Sequence, residues 1–413
     1  MPHPALAWRN AVFAMFFIAG LWSASWVARV PAVRDGLSLS TAEVGFLIFG
    51  MSAGSVLGLV AASWMLARLG ARRSMLTSVT IAAVGLAGVG VGASLVNSAV
   101  FVFCALALVG LGMGSVDVVM NVEGAAAERE IGKTLMPLMH ACFSLGTVAG
   151  ALLGAGASAV GMPVGWHLLV IAVVVLVTAA IAVRYVPHRA ELGDDPSAPR
   201  QAEEPAITWR ERLRANLMVW RDLSVLLIGV IVLGMSFAEG SANDWLALAA
   251  VDGHGMSNTA GAVVFGVFVA AMTVGRLVGG PLIDRFGRVP VLRACAALGI
   301  VGLLAFILAP TGWLLFAGTV LWGLGASLGF PVGMSAAADD TRNAAARVSA
   351  VAIIGYCAFL VGPPLLGVLG QHFGILNALY LVLVLMVLAG LAAPAARERA
   401  RYRSTENFPK TSL

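Results

Sequence analysis

Long apolar runs, interrupted by glycine, proline and short charged clusters, fill the chain from about residue 8 to residue 394. A helix of about 20 apolar residues crosses a hydrocarbon core roughly 30 Å thick, with every backbone polar group bonded within it. On that rule the pattern predicts spans near 8–29, 42–67, 74–93, 98–124, 135–160 and 166–186. A second set follows near 222–249, 259–283, 289–309, 313–335, 348–369 and 375–394. The first run, 11–27, is longer than a signal-peptide core and no small-residue cleavage site follows it, so it counts as a span. Between the two sets, 187–221 is rich in Pro, Glu, Asp and Arg, which predicts a solvated linker with a short surface helix near 208–215.

Composition agrees. Hydrophobic residues make up 60% of the 413 and charged residues 11%, too few charges to cover a soluble surface. The 48 glycines suit helices that pack by close approach in lipid. Cys104, Cys142, Cys295 and Cys357 lie in apolar runs without zinc or redox spacing, so they are expected to be small buried residues and no metal or cofactor is expected. The net charge of +5 does not point to nucleic acid, because its distribution follows topology. With the N-terminus inside, 24 of the 26 Lys and Arg fall on the cytoplasmic side or at that end of a span; the exceptions are Arg29 and Arg34. Both termini and the linker are therefore expected in the cytoplasm, around a multi-pass protein of the cytoplasmic (inner) membrane. The expected fold is an all-α membrane protein with twelve transmembrane helices in two pseudo-symmetric six-helix bundles. Its divisions are 1–186, a linker 187–221, 222–394 and a tail 395–413.

The two sets echo each other. SWMLARLGARR (63–73) corresponds to GPLIDRFGRVP (280–290), and Gly110-Leu111-Gly112 with Ala125-Ala126-Ala127-Glu128 to Gly323-Leu324-Gly325 with Ala336-Ala337-Ala338-Asp339. Ser25-Trp26 likewise matches Asp244-Trp245. The stretch Gly280-x-x-x-Asp284-Arg285-x-Gly287-Arg288 resembles the loop motif of the major facilitator superfamily, at its expected place between spans eight and nine. The N-terminal copy keeps Arg68, Gly70 and a displaced Arg72, but Ser63 and Ala67 replace the glycine and the aspartate. The resemblance implies parallel repeats with a substrate site between them, and a gating role for Gly280, Asp284, Arg285, Gly287, Arg288, Arg68, Gly70 and Arg72. Gly110 to Asn121, with Asp117 and Asn121 four apart, is similar to the fucose-permease-like sugar–proton symporters. Trp26-Val-Ala-Arg29-Val-Pro31 and Glu239 to Trp245 resemble the YbjJ-like branch. No acid lies in the first span, where fucose permease has one, so its coupling scheme does not transfer whole.

Ionisable groups inside a span cost a few kcal/mol each and mark function. Asp117 is the leading proton-coupling candidate, with Asn121 one turn on. His140 and Glu239 are further candidates, since imidazole and carboxyl groups relay protons. Trp22, Trp26 and Arg29 share a helical face at i, i+4 and i+7. With Asn121, Asn243, Asp244, Trp245 and Trp322 they form the expected substrate-binding set: rings against the apolar faces of a sugar, amides and carboxylates on hydroxyls. Trp8, Trp166 and Trp313 are expected at the membrane interface.

Two G-x-S-x-G matches (50–54 and 325–329) follow no strand, and 127–134, a degenerate phosphate-loop match, joins two spans. Neither supports an enzyme or ATP use. Gly146, Gly150 and Gly154 form a packing ladder on the fifth span, which lacks the G-P-x-x-G-G element of drug antiporters. The expectation is a monomeric secondary transporter moving a small polar solute, a sugar or related metabolite, by proton-coupled symport. Proton-driven efflux is the alternative, and an intramembrane enzyme a distant one.

Overall fold

The computed structural model describes residues 4–132, 135–187, 219–339 and 344–397. Most of the linker, with its expected 208–215 helix, and most of the tail lie outside the described residues.

Helices follow the apolar runs: α1 (Pro4–Val27), α2 (Val30–Leu37), α3 (Thr41–Val91), α4 (Ala99–Ile131), α5 (Met136–Ala159) and α6 (Val164–Ala182). After the linker come α7 (Leu223–Leu248), α8 (Asn258–Phe286), α9 (Arg288–Ile307), α10 (Gly312–Ala326), α11 (Gly329–Ala337), α12 (Ala344–Phe373) and α13 (Ile375–Ala392). Among the described residues, eleven helical segments are long and apolar enough to cross a membrane.

One of them, Thr41–Val96, has 56 residues, which would reach about 84 Å if straight. It is not straight. At Gly70 the backbone takes φ 73°, ψ 168°, and the chain turns back. The limb before Gly70 climbs α4 in parallel: Gly50 meets Phe103, Gly54 meets Ala107 and Gly58 meets Leu111. The limb after it descends the same helix, with Ser78 and Ala82 against Gly112, Gly85 against Val109 and Gly92 against Phe101. Counted as two limbs, this segment brings the eleven to the twelve expected from hydropathy. Gly287, the repeat counterpart of Gly70, takes nearly the same angles (φ 81°, ψ 164°) between α8 and α9. That region of backbone space is essentially open to glycine alone.

Two prolines coincide with breaks in the helices. Pro31 has no N–H to give Val27, so α1 ends there and α2 restarts at Val30. Pro331 leaves the Ser327 carbonyl without its helical donor, so the predicted tenth span divides into α10 and α11.

The glycine ladder of α5 lies on α1: Cβ atoms at Gly146 and Gly150 would sit 2.0 Å from the Phe17 carbonyl oxygen and 2.3 Å from that of Leu21. Between the halves, α3 meets α12 and α5 meets α8, a pairing that exchanges under the expected two-fold. A Cβ on Gly45 would stand 2.7 Å from the Pro363 oxygen. Polar contacts between the halves gather at the end expected to face outside. Arg34 pairs with Asp252, Asn258 donates to Asp35 (3.0 Å), Thr259 to Ser158 (3.0 Å), and the Thr41 N–H to Gln371 (3.1 Å). At the opposite end, Arg72 donates to the carbonyls of Arg184 and Val186, and Glu128 accepts from the N–H groups of Leu135 and Met136. Arg288 pairs with Asp339 and Arg347 with Asp222 there, each pair within one half.

Two expectations need correction. Cys295 is buried, but Cys104 and Cys357 are exposed, because a helix facing lipid has no reason to hide a small apolar side chain. Trp166 and Trp313 are exposed as interfacial anchors should be, whereas Trp8 is 3% exposed and packs in the core.

Candidate functional site

Between the halves lies a cavity of about 430 Å³. That is toward the small end of the roughly 300–1,000 Å³ usual for ligand sites. From the N-terminal half, α1 supplies Trp22 and Trp26, α4 supplies Asp117, and α5 supplies Ser144 and Thr147. From the C-terminal half, α7 supplies Glu239, Asn243 and Asp244, α8 supplies Arg276, and α12 supplies Tyr356. Phe330, the repeat counterpart of Asp117, stands on the opposing wall, so one acid faces one ring where symmetry would have placed two alike.

The Asp117 carboxylate makes no ion pair among the described residues. Asn121 donates to its backbone carbonyl (2.8 Å) and more loosely to its carboxylate (3.3 Å). Asn121 therefore braces the acid and does not itself line the cavity. Across the space, Arg276 Nη2 donates to Glu239 Oε1 at 2.7 Å, and Arg276 Nε donates to the Ser327 carbonyl at 3.3 Å. The arginine thus occupies the acceptor that Pro331 freed, which fixes it beside Glu239. This is the polar use of a broken helix expected at a transporter midplane. Asp244 and Asn243 complete the polar part of that wall. Phe143, Phe265 and Phe359 join the two tryptophans as the aromatic part of the lining, and aliphatic side chains, methionines and serines such as Ser52 and Ser55 fill in the rest.

Of the residues singled out in the sequence, Asp117, Glu239, Asn243, Asp244, Trp22 and Trp26 line this space. It missed Arg276, whose signal was its position inside a span; counted only toward charge topology, it went unread. Four other candidates lie elsewhere. Arg29 is buried at the bend after α1, with its Nη2 on the Met162 carbonyl at 2.6 Å. Trp245 is fully buried against Gly367. Trp322 is fully buried between Phe268 and Phe306, with ring centroids 5.5 and 5.9 Å away. Helices that are apolar all round give no sign of which face meets the cavity. His140 is only the fifth residue of α5, shallower than expected; it is exposed, edge-on to Phe16 at 5.1 Å, on the face that continues to Ser144 and Thr147. With Tyr356, 41% exposed, it marks the approach to the cavity from the end where the termini lie.

Of the loop motif, Gly287 makes the turn, and Arg288 holds Asp339 and Ser335 at 3.2 and 3.0 Å. Asp284 and Arg285 are exposed, Arg285 lying over the Phe286 ring at 5.2 Å. A Cβ at Gly280 would meet open space.

Comparison with known proteins extends this picture. The family model described as Major Facilitator Superfamily matches residues 11–279 and 245–412. An uncharacterized MFS-type transporter of Yersinia pestis is 28% identical over 95% of this chain and 97% of its own. Membrane protein MosC of Rhizobium meliloti is 26% identical over 93% and 89%. The Multidrug resistance protein MdtL of Escherichia coli matches 34% of this chain and 40% of its own length at 32% identity. Among solved structures, a nucleoside transporter NupG mutant superposes with a TM-score of 0.72 (16% identity, 95% and 100% covered). A D-xylose-proton symporter gives 0.72 (14%, 95% and 97%), and the FucP transporter 0.63 (14%, 96% and 100%). At such identities these likenesses establish the fold.

Proposed function

The chain belongs to the major facilitator superfamily, and from that premise we propose that it carries a small polar solute, a sugar or related metabolite, together with protons. It is a multi-pass membrane transporter, and its sequence resembles the YbjJ-like branch within the superfamily. The observation that carries the reading is Asp117: a cavity carboxyl without an ionic partner, facing a Glu239–Arg276 pair on the other half. A group that loads and releases a proton needs freedom from a permanent counter-ion, and an acid already paired with an arginine lacks it. Asp117 is therefore assigned to the proton. Glu239 and Arg276 are assigned to holding the opposite wall, and Asn243, Asp244 and the tryptophans to the solute. In the alternating-access cycle the external contacts seal one face while His140 and Tyr356 line the way in from the cytoplasm. One chain completes the cavity, so a monomer suffices. Arg288 with Asp339, and the exposed Asp284 of the same loop motif, are assigned to the cytoplasmic gate.

The partial match to a multidrug resistance protein keeps proton-driven efflux as a second reading. One experiment separates them. A melting-temperature screen of sugars, polyols, nucleosides and amino acids on purified protein finds a ligand, since binding to the folded state raises stability. Adding that ligand to lightly buffered vesicles containing the protein should make the medium alkaline, as protons enter with it. Acidification would mean exchange, and no pH change would remove proton coupling.

A further inference from the structure

The buried Arg29 is not part of the cavity, and its surroundings ask for something else. Its side chain is 4% exposed at the bend that Pro31 imposes. Nη2 is on the Met162 carbonyl, but Nε and Nη1 are buried with no partner. The acids of this end are engaged elsewhere: Arg34 pairs with both Asp35 (2.7 Å) and Asp252. His167 is likewise 4% exposed, and neither of its ring nitrogens has a partner. It lies in the first turn of α6, beside Gly154: a Cβ there would be 2.4 Å from Ala28 Cβ and 3.9 Å from His167 Cε1. So Arg29 and His167 converge on the start of α6, where Met162 precedes the helix and Pro163 offers no side-chain cap.

A buried guanidinium without an anion costs several kcal/mol. A helix N-terminus adds partial positive charge and N–H groups without helical acceptors; at α6 one of these, the Gly165 N–H, is already taken by Ser94 Oγ at 3.1 Å. We propose that a small inorganic anion of the size and charge of chloride binds between Arg29, His167 and the N-terminus of α6. It neutralises Arg29 and lets one His167 nitrogen donate. Because α1 ends at this bend, the anion also steadies the helix that carries Trp22 and Trp26 to the cavity. The site lies off the cavity, so this inference stands or falls separately from the transport reading.

The test uses the full-length purified protein. Melting temperature is followed while sodium chloride, or sodium bromide, replaces sodium gluconate at constant ionic strength. A saturable rise with both halides is expected, of the size that binding to the folded state alone dictates. Arg29→Met should abolish the response, and His167→Gln should raise the half-saturating halide concentration several-fold. A wild-type melting temperature indifferent to halide would mean that water fills the site, and would overturn the proposal. A full response in Arg29→Met would do the same, since the halide then binds elsewhere. Should Arg29→Met fail to fold, an unchanged half-saturation in His167→Gln is the contradicting result.

Discussion

Three carboxyl groups and one guanidinium meet in one cavity, and their bonding sorts them. Glu239 and Arg276 hold each other at 2.7 Å, with side chains 15% and 32% exposed; Asp117 and Asp244 have no such partner among the described residues. Removing one member of a buried pair leaves the other charge unpaired, which costs more than removing both. Arg276→Met should therefore destabilise the protein by about 1–3 kcal/mol, with much of that recovered in Arg276→Met/Glu239→Gln. Thermal unfolding of both singles and the double closes the cycle, and additive losses would deny the coupling. The acids were legible in the sequence because charge inside an apolar run is exceptional. Arg276 was equally exceptional, but positive charge near the cytoplasmic end of a span has a ready topological reading that hid it. Arg29, Trp245 and Trp322 misled for another reason. Periodicity says which residues share a face, and on a helix buried on several sides it does not say what that face meets.

At the scale of elements, glycine and proline decide where helices stop. Hydropathy located the apolar runs that become the long helices; it did not give the division at Ser327, which follows from Pro331, or the use Arg276 makes of it. The turns at Gly70 and Gly287 were visible as a repeated motif, and their shared backbone angles explain why glycine recurs there. Alanine at either position must adopt a conformation that side chains avoid, at about 1–3 kcal/mol. Gly280→Ala should be close to neutral, because its Cβ would touch nothing in this conformation. Thermal unfolding of the three variants tests this; equal effects at 280 and 287 would mean that the motif glycines act through something other than backbone shape. By contrast, Gly110→Ala places a Cβ 1.8 Å from the Met51 oxygen and should force α3 and α4 apart, with a larger loss of stability than at either turn.

For the whole molecule, the two halves touch where the external loops are expected, and the cavity is approached from the other end. Ser158 and Thr259 face each other across that external seam at 3.0 Å. The pair Ser158→Cys/Thr259→Cys should cross-link on oxidation and stop transport until a reductant restores it, if opening this face is part of the cycle. Transport that continues at full rate in the cross-linked protein would contradict alternating access about this seam. The topology is checked separately: a cysteine at Ser257 should label from outside intact cells, and one at Ser197 should not. The central claim concerns Asp117. Asparagine there imitates the protonated acid but cannot release a proton. In vesicles with an imposed pH gradient, Asp117→Asn should lose uphill accumulation of the solute while retaining exchange between equal pools. Accumulation against the gradient by Asp117→Asn, at the wild-type level, would contradict the account.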